Sequence, residues 1–433
     1  MRRSSSARHG STRPSRGSSA KGVANDQGDG GKAREGVRAH RNGGRQGQGR
    51  EEVVVEDQER AVDDGPSRRH HRPLRLHRDR RGAEPRRRRA HGHRRDRRHR
   101  RRDAHDDLHR GLHRLSVRAL VLGGTEFIGV HLVRALTRAG HEVAVFNRGR
   151  RNERLPDGVK TIVGDRKDHA GVKRILAGVR ADALVDVTYA PTTGEDVEAV
   201  LDALDGRVGH ALFVSTCRVY DHALPIPYDE ATPRSLYWGE YAKHKIAGED
   251  AVLRRHRERG WPVTIVRPTH VYGPMNTRNN ETFVFDRLLR GRPVLLPGDG
   301  RWLRQFGHVE DLADAMVALL GRREAFGEAY NVTGEETVTQ AGFVELIADV
   351  IKRPVELVPV TAAPGGPAVP FGQNLAYDCH AVHTTAKVRA LGVRPAYTLA
   401  AGLAQTFDWY VREGLDRRDV DFSADDLFLS RAR

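Results

Sequence analysis

Tyr241 and Lys245 could share acid–base chemistry, because they stand four positions apart in a segment that predicts a helix from about residue 240 to 259. Residues at that spacing project from the same helix face. A tyrosine at its usual pKa of about 10 is a poor base at neutral pH, and a nearby ammonium favours the phenolate and lowers that pKa. Such pairs also occur on solvent-facing helices, so the spacing alone does not establish a site.

Thr216 could complete a reactive group with this pair. It follows the apolar run 210–214, which predicts a strand, and it precedes Tyr241 by 25 residues. At the end of a strand its hydroxyl could hydrogen-bond a substrate oxygen and hold that oxygen against the phenol.

Segment 119–129 predicts a phosphate-binding turn. Its sequence, ALVLGGTEFIG, is a short apolar run followed at once by glycines, and an amphipathic stretch continues to residue 139. That order predicts strand, tight turn and helix. The first turn of a helix has unpaired N–H groups and partial positive charge, which suit a pyrophosphate, and glycine lets a ligand approach the backbone. A glycine-rich turn without a ligand also fits this segment taken alone.

The positions of these residues depend on a regular alternation of strands and helices. Apolar runs predict strands at 119–122, 142–146, 160–163, 183–187, 210–214 and 263–266, and helices are predicted at 128–139, 171–177, 196–204 and 240–259. Continuous apolar strands between helices imply an α/β fold with a doubly wound parallel sheet, whose ligands bind beyond the carboxyl ends of the strands. After Arg267 prolines become frequent, with helices predicted at 282–289, 312–320 and 339–350. We interpret 270–433 as mainly a smaller C-terminal substrate-binding lobe.

The basic balance of the chain is confined to residues 1–116. The chain carries 74 Lys and Arg against 57 Asp and Glu, a net charge of +17, but 117–433 holds 41 of each and is neutral. The N-terminal segment lacks Phe, Trp, Tyr and Cys and is rich in Arg, His and Gly, which predicts disorder. Three interpretations compete: a nucleic-acid-binding arm, a targeting peptide, and an upstream region that is not a natural part of the protein, with the true start near Val117.

Cysteine usage and hydropathy indicate a cytoplasmic protein. Cys217 and Cys379 match no disulfide framework and no metal-ligand spacing, so we expect a reducing compartment and no bound metal. No apolar run approaches the roughly 20 residues of a membrane span, so we expect no membrane contact. The neutral balance of 117–433 argues against nucleic acid as a partner of that region.

Five ordered motifs resemble the extended short-chain dehydrogenase/reductase family, in its NAD-dependent epimerase/dehydratase group. They are GGTEFIG at 123–129, VST at 214–216 with VY at 219–220, YAKHK at 241–245, RPTHVYGP at 267–274, and LPGDG at 296–300 followed by HVED at 308–311. The resemblance covers nearly all of 117–433. It implies a Rossmann-type NAD(P)-binding domain at 117–269, a nucleotide-sugar substrate, and the homodimer, built on the Tyr–Lys helix, that members often form.

The resemblance also implies a role for each matching residue. Tyr241 is the implied acid/base, Lys245 tunes it and binds the nicotinamide ribose, and Thr216 orients the reacting hydroxyl. Arg304 corresponds to an arginine that binds a nucleotide-sugar diphosphate, and a plain surface position is its alternative. The residues implied to contact NAD or NADP are Gly123, Glu126, Phe127, Ile128, Gly129, Asn147, Arg148, Asp165, Arg166, Tyr189, Ala190, Lys245, Pro268 and Val271.

Three departures from the family pattern bear on function. Glu126 stands where glycine is usual, and it brings a negative charge beside the expected pyrophosphate site. Asn147-Arg148 replaces the acid that NAD-preferring members carry after the second strand, so NADP is an alternative cofactor. Cys217-Arg218 replaces the Asp-Glu pair of sugar 4,6-dehydratases, which argues against dehydration.

The activity implied by the resemblance is hydride transfer by an NAD(P)-dependent epimerase or oxidoreductase acting on a nucleotide-sugar-like substrate. Two alternatives stay open. One branch of the family with a GGTxFIG loop includes chloroplast proteins that bind stem-loop RNA, and a regulator could bind NAD(P) without turnover. The intact Thr216, Tyr241 and Lys245 favour the enzyme.

Overall fold

The structure, a computed structural model, describes residues 116–432 except 190–191, 277, 279, 362–367 and 373–375. Of the segment for which disorder was predicted, 1–116, residues 1–115 lie outside the described residues. The strands of the described part are β1 (Arg118–Leu122), β2 (Glu142–Asn147), β3 (Lys160–Val163), β4 (Ala181–Asp186), β5 (Val208–Val214), β6 (Val263–Pro268), β7 (His270–Tyr272), β8 (Val294–Pro297), β9 (Leu303–His308), β10 (Glu328–Val332), β11 (Thr337–Thr339) and β12 (Leu357–Val360).

Ten α-helices lie in the part of the chain that the structure describes. They are α1 (Ile128–Arg138), α2 (His169–Leu176), α3 (Gly194–Ala203), α4 (Gly239–Arg259), α5 (Glu281–Leu289), α6 (Val309–Leu319), α7 (Gln340–Ile351), α8 (Ala386–Ala390), α9 (Leu399–Arg412) and α10 (Ser423–Ala432). Local sequence explains their ends: Thr193 and Asp196 form a capping box at the start of α3, and α4 ends at Gly260 in the left-handed region.

The central sheet confirms the predicted doubly wound α/β fold. Among the described strands, seven lie in the order β10-β6-β5-β4-β1-β2-β3, and each neighbouring pair is parallel. The predicted strands and helices agree with the observed ones to within three residues at each end. The chain moves outward from β1 in both directions, so a crevice forms at the carboxyl ends of β1 and β4.

Helices cover both faces of this sheet because its strands are apolar on both sides. On one face, α1 and α6 pack against each other and bury side chains such as Leu132 and Met316. On the other face, α2, α3 and α4 bury side chains such as Leu176 and Val252. The sheet is thereby held rigidly at the edge where the expected site residues emerge.

The part of the chain after residue 269 is divided between the sheet and a second core. Helix α6 and strand β10 return to the sheet, so its last strand comes from beyond the predicted boundary of the nucleotide-binding half. The remaining segments pack around aromatic residues that include Phe285, Phe343 and Tyr410. They carry a three-stranded sheet, β11-β9-β7, and the parallel pair β12-β8, neither of which was predicted.

None of the helices in the described ranges is long and apolar enough to cross a membrane.

Candidate functional site

The glycine turn after β1 has the conformation that a phosphate cradle requires. Gly123 and Gly124 have φ angles of +99° and +86°, which side chains rarely tolerate. The Gly123 N–H donates to the Phe146 carbonyl at 3.1 Å, and the Gly129 N–H donates to the Glu126 carbonyl at 2.8 Å. The turn is therefore fixed at both ends and leads directly into the N-terminus of α1.

Helix α1 approaches the turn so closely that Gly129 has no room for a side chain. A Cβ there would lie 2.6 Å from the Gly124 nitrogen and 2.7 Å from its Cα. Phe127, the residue before α1, has a φ of +35°, and its side chain is buried. The backbone of this segment is thus shaped for close approach of a ligand to the start of the helix.

Glu126 stands where glycine is usual in the family, and an arginine on the facing loop balances its negative charge. Its carboxylate forms an ion pair with Arg151, and both side chains are about half exposed. Asn147, at the end of β2, accepts from the Gly149 N–H at 2.5 Å and so fixes the start of this loop. Arg148, Arg150 and Arg151 all line the cleft beside the end of β2.

Asp165 and Arg166, after β3, have different environments. Asp165 lies at the cleft and accepts a hydrogen bond from the Lys167 N–H at 3.0 Å. Arg166 lines the cleft but is buried, with two hydrogen bonds of 3.0 and 2.9 Å to Asp186 at the end of β4. Burial opposes ionisation of Asp186, but the Arg166 charge and hydrogen bonds prevail and its pKa is lowered. Arg166 therefore supports the wall of the cleft.

Thr216 and Tyr241 meet at the carboxyl end of β5. Thr216 is buried and its hydroxyl accepts from the Arg218 N–H at 3.3 Å. Burial raises the pKa of Tyr241 to about 12 and Tyr189 acts in the same direction, while a hydrogen bond with Thr216 and the Arg218 charge oppose the rise. The pKa of Tyr241 is thus raised and not lowered as predicted, because desolvation of the phenolate dominates. The rings of Tyr189 and Tyr241 lie 5.8 Å apart.

Lys245 is held one helical turn behind Tyr241 by backbone carbonyls. Its Nζ donates to the Val214 carbonyl at 2.9 Å and to the Thr188 carbonyl at 3.3 Å. Burial lowers its pKa to about 8, against the opposing charge of Asp186. The ammonium is therefore fixed between the ends of β4 and β5, at the base of the same cleft.

A single cleft of about 610 Å³ brings together most of the predicted site residues. Its walls include the glycine turn, the ends of β2 to β5, and Tyr241 and Lys245 of α4, with Pro268 and Val271 near the end of β6. Ala190 lies outside the described residues. A volume of this size suits a ligand with the bulk of a cofactor.

Arg304 is not at this cleft, contrary to the role implied for it. It is buried to 1% exposure, and its guanidinium donates to the carbonyls of Leu303, Cys379 and Tyr377. The guanidinium N–H groups that a diphosphate would need as donors are therefore already bonded to these carbonyls. In the structure Arg304 joins β9 to the segment before α8.

Several cleft residues were not predicted. Ser215 and His270 belong to the motifs at 214–216 and 267–274 but were given no role there, and Arg150 and Arg151 follow Arg148, so their positions along the chain were the available signal. Arg278 comes from the second core, and its guanidinium carbon lies 3.7 Å from the centre of the Tyr189 ring. No spacing rule connects residues 89 positions apart, so this contact required the fold.

Known proteins resemble this chain in sequence and in fold. The sequence profile of the NAD dependent epimerase/dehydratase family matches residues 119–333. The chain is 31% identical over 334 residues to the chloroplast stem-loop binding protein of 41 kDa b of Arabidopsis thaliana, covering 72% of this chain and 84% of that protein. It is 28% identical over 324 residues to the dTDP-glucose 4,6-dehydratase of Streptomyces niveus, covering 68% and 93%.

Solved structures agree with this relationship. The UDP-glucose 4-epimerase of Thermus thermophilus, solved in complex with NAD, has a TM-score of 0.57 at 26% identity, covering 68% of this chain and 99% of that one. The epimerase Mth375 of Methanothermobacter thermautotrophicus has a TM-score of 0.62 at 22% identity, covering 72% and 96%. These likenesses and the sequence matches confirm the resemblance drawn from the five motifs, and the chain belongs to the NAD-dependent epimerase/dehydratase family of extended short-chain dehydrogenases/reductases.

Proposed function

We propose that this protein is an NAD(P)-dependent epimerase or oxidoreductase that acts on a nucleotide sugar by hydride transfer, with Tyr241 as the acid/base. The observation that carries the proposal is the meeting of Thr216, Tyr241 and Lys245 in the cleft that the glycine turn also lines. In this proposal 117–269 supplies most of the cofactor site, and 270–433 mainly supplies the substrate lobe.

The residues present fit a nicotinamide dinucleotide. The turn at Gly123 and Gly124 and the start of α1 offer backbone N–H groups to a pyrophosphate, and a Cβ at Gly129 would close that cradle. Asp165 and Lys245 line the same cleft, and in this proposal Asp165 would contact the adenine and Lys245 would bind the nicotinamide ribose. Bound there, a nicotinamide dinucleotide would supply the capacity to take up a hydride from a sugar carbon and to return it.

The chain's own residues move the proton that accompanies this transfer. Thr216 holds the reacting hydroxyl against Tyr241, and the Tyr241 phenolate takes its proton. The Thr216 hydrogen bond and the Arg218 charge both favour the phenolate, in opposition to burial. The Lys245 ammonium, fixed by two carbonyls, adds a positive charge at the base of the site.

Epimerisation and simple oxidation or reduction both use this group of residues. An epimerase returns the hydride to the opposite face of a keto intermediate, whereas a reductase or dehydrogenase stops after one transfer. Dehydration needs a further acid and base, and positions 217–218, next to Thr216, hold Cys and Arg. Burial raises the pKa of the Cys217 thiol to about 12, so it does not provide a base there.

The role of Tyr241 is tested by Tyr241→Phe with Tyr237→Phe as the matched control. Tyr237 is an exposed tyrosine four positions earlier. Because the phenol is the proposed proton carrier, Tyr241→Phe should lower turnover of a nucleotide-sugar panel by about 10²- to 10⁴-fold. NAD and NADP affinities, measured by calorimetry, should stay unchanged in both variants. Equal turnover in wild type and Tyr241→Phe would refute the acid/base role of Tyr241. A failure of the wild type to bind either dinucleotide would refute the proposal that the protein is an NAD(P)-dependent enzyme.

A second candidate function is RNA binding on the same fold. It is favoured by the 31% identity to a protein named for stem-loop binding. The balance of 41 basic and 41 acidic residues in 117–433 opposes it, because affinity for RNA depends largely on phosphate neutralisation. Filter binding of a stem-loop RNA to a chain starting at Val117 separates the two candidates: tight binding without dinucleotide binding would favour RNA.

A further inference from the structure

Arg218 occupies a position in the cleft that the proposed mechanism uses only indirectly. It follows Thr216 by two residues, lines the cleft, and is half-buried. Its guanidinium carbon lies 4.6 Å from the centre of the Trp238 ring, 4.5 Å from that of Tyr377 and 5.9 Å from that of Tyr241. Three aromatic rings therefore hold a permanent positive charge beside the reacting groups.

The carboxylates among the described residues that line the cleft are confined to one end of it. Among the described residues that line it, the carboxylates are Glu126 and Asp165, which belong to the glycine turn and the end of β3. Around Arg218 the lining instead consists of groups such as Ser215, Cys217 and His270. Burial lowers the pKa of His270, and the Arg218 charge lowers it further, so that ring is neutral. The end of the cleft near β5 is thus positive.

Two buried polar atoms at this end lack hydrogen-bond partners within the described part of the chain. The Ser215 hydroxyl and His270 Nδ1 have no hydrogen-bond partner among the described residues, and both side chains are at least nine-tenths buried. A buried polar group left without a partner is unfavourable, so a ligand that supplies hydrogen-bond partners here gains affinity.

We propose that Arg218, with Ser215 and His270, forms a subsite for a carboxylate on the sugar, so that the preferred substrate is a nucleotide-linked sugar acid. This inference rests on the proposed function and narrows its substrate class. The planar donors of a guanidinium match a carboxylate. Arg218 contacts the Tyr241 ring and follows Thr216 by two residues. A carboxylate that binds Arg218 therefore belongs to the sugar, near the reacting carbon.

UDP-glucuronate and UDP-glucose are suitable probes, because they share the diphosphate and differ in the sugar carboxylate. Calorimetry on the NAD-loaded full chain should give UDP-glucuronate at least about tenfold tighter binding, as expected for charge-assisted hydrogen bonds. Arg218→Gln should remove this preference without weakening UDP-glucose, and Arg218→Lys should retain part of it. Arg278→Gln is the matched control, since Arg278 is another cleft arginine stacked on a tyrosine. It should leave the ratio of the two affinities unchanged.

Other outcomes would overturn the subsite. Equal affinities of the wild type for the two sugar nucleotides would refute the carboxylate subsite. If Arg218→Gln weakens both ligands equally while NAD binding and the melting temperature are unchanged, Arg218 binds the diphosphate or has a structural role. Binding of neither sugar nucleotide by NAD-loaded protein would instead count against the nucleotide-sugar function itself.

Discussion

Glu126 is the residue that most alters the phosphate cradle. Its carboxylate stands in the glycine turn and pairs with Arg151, which also lines the cleft. In the proposed cofactor site, a dinucleotide would meet both a negative charge beside its phosphates and an arginine that is already paired. The departure from the family pattern thus involves two facing residues, Glu126 and Arg151, and we expect it to weaken cofactor binding.

Glu126→Gln should raise the affinity for both dinucleotides, because it removes the negative charge and releases Arg151. The gain should be about two- to fivefold, since exposed ion pairs contribute up to about 1 kcal/mol. It should be larger for NADP, whose extra phosphate can use Arg148, Arg150 and Arg151. Fluorescence titration measures both affinities, and Glu153→Gln, at an exposed glutamate of the same loop, should change neither. A loss of affinity in Glu126→Gln would show that the carboxylate itself binds the cofactor.

A residue of the candidate site could be predicted from the sequence when it follows closely on the end of a strand or shares a helix face with another site residue. Thr216, Tyr241 and Lys245 meet these conditions, and the structure brings them together. Arg304 does not, because carbonyls of distant residues surround its guanidinium. The contact of Arg218 with Tyr377 likewise joins segments far apart in sequence.

At the scale of elements, the periodicity of the sequence predicted the sheet strands and their covering helices well. Strand β5 buries nearly every side chain and α1 buries its apolar residues on one face, and both patterns are visible in the sequence. Strand β10 was missed as part of the sheet because only its parallel pairing with β6, over 60 residues earlier, gives it that place. Pairing between distant strands leaves no local signal.

The contact between α1 and the glycine turn leads to a prediction for Gly129→Ala. The added Cβ would lie 2.6 Å from the Gly124 nitrogen, which is backbone and cannot rotate away. Helix α1 must then shift, with an expected loss of about 1–3 kcal/mol in the free energy of unfolding. Dinucleotide affinity should fall as well, because the N–H groups of the cradle move. Urea denaturation and calorimetry measure the two effects. Gly178→Ala, where an added Cβ meets nothing within 4 Å, should show neither.

At the scale of the whole molecule, Glu281 connects the second core to the wall of the cleft. It begins α5 and is fully buried, and it accepts hydrogen bonds from the Gly273 N–H at 3.2 Å and from the Asn276 amide at 3.1 Å. These contacts hold the segment that carries Arg278 to the cleft. Burial raises the pKa of Glu281 to about 7 from its usual 4.5.

Stability should therefore depend on pH through Glu281. Because the folded protein holds this proton more tightly than the unfolded chain, the contribution is complete below pH 4.5 and is lost as pH rises through about 7. The loss should be on the order of 2–3 kcal/mol. Glu281→Gln keeps the shape and an acceptor oxygen without the charge, so urea denaturation between pH 5 and 8 should show a flatter profile than wild type. Glu153→Gln, at an exposed carboxylate, should retain the wild-type slope, and a Glu281→Gln profile as steep as wild type would assign the pH dependence to other groups.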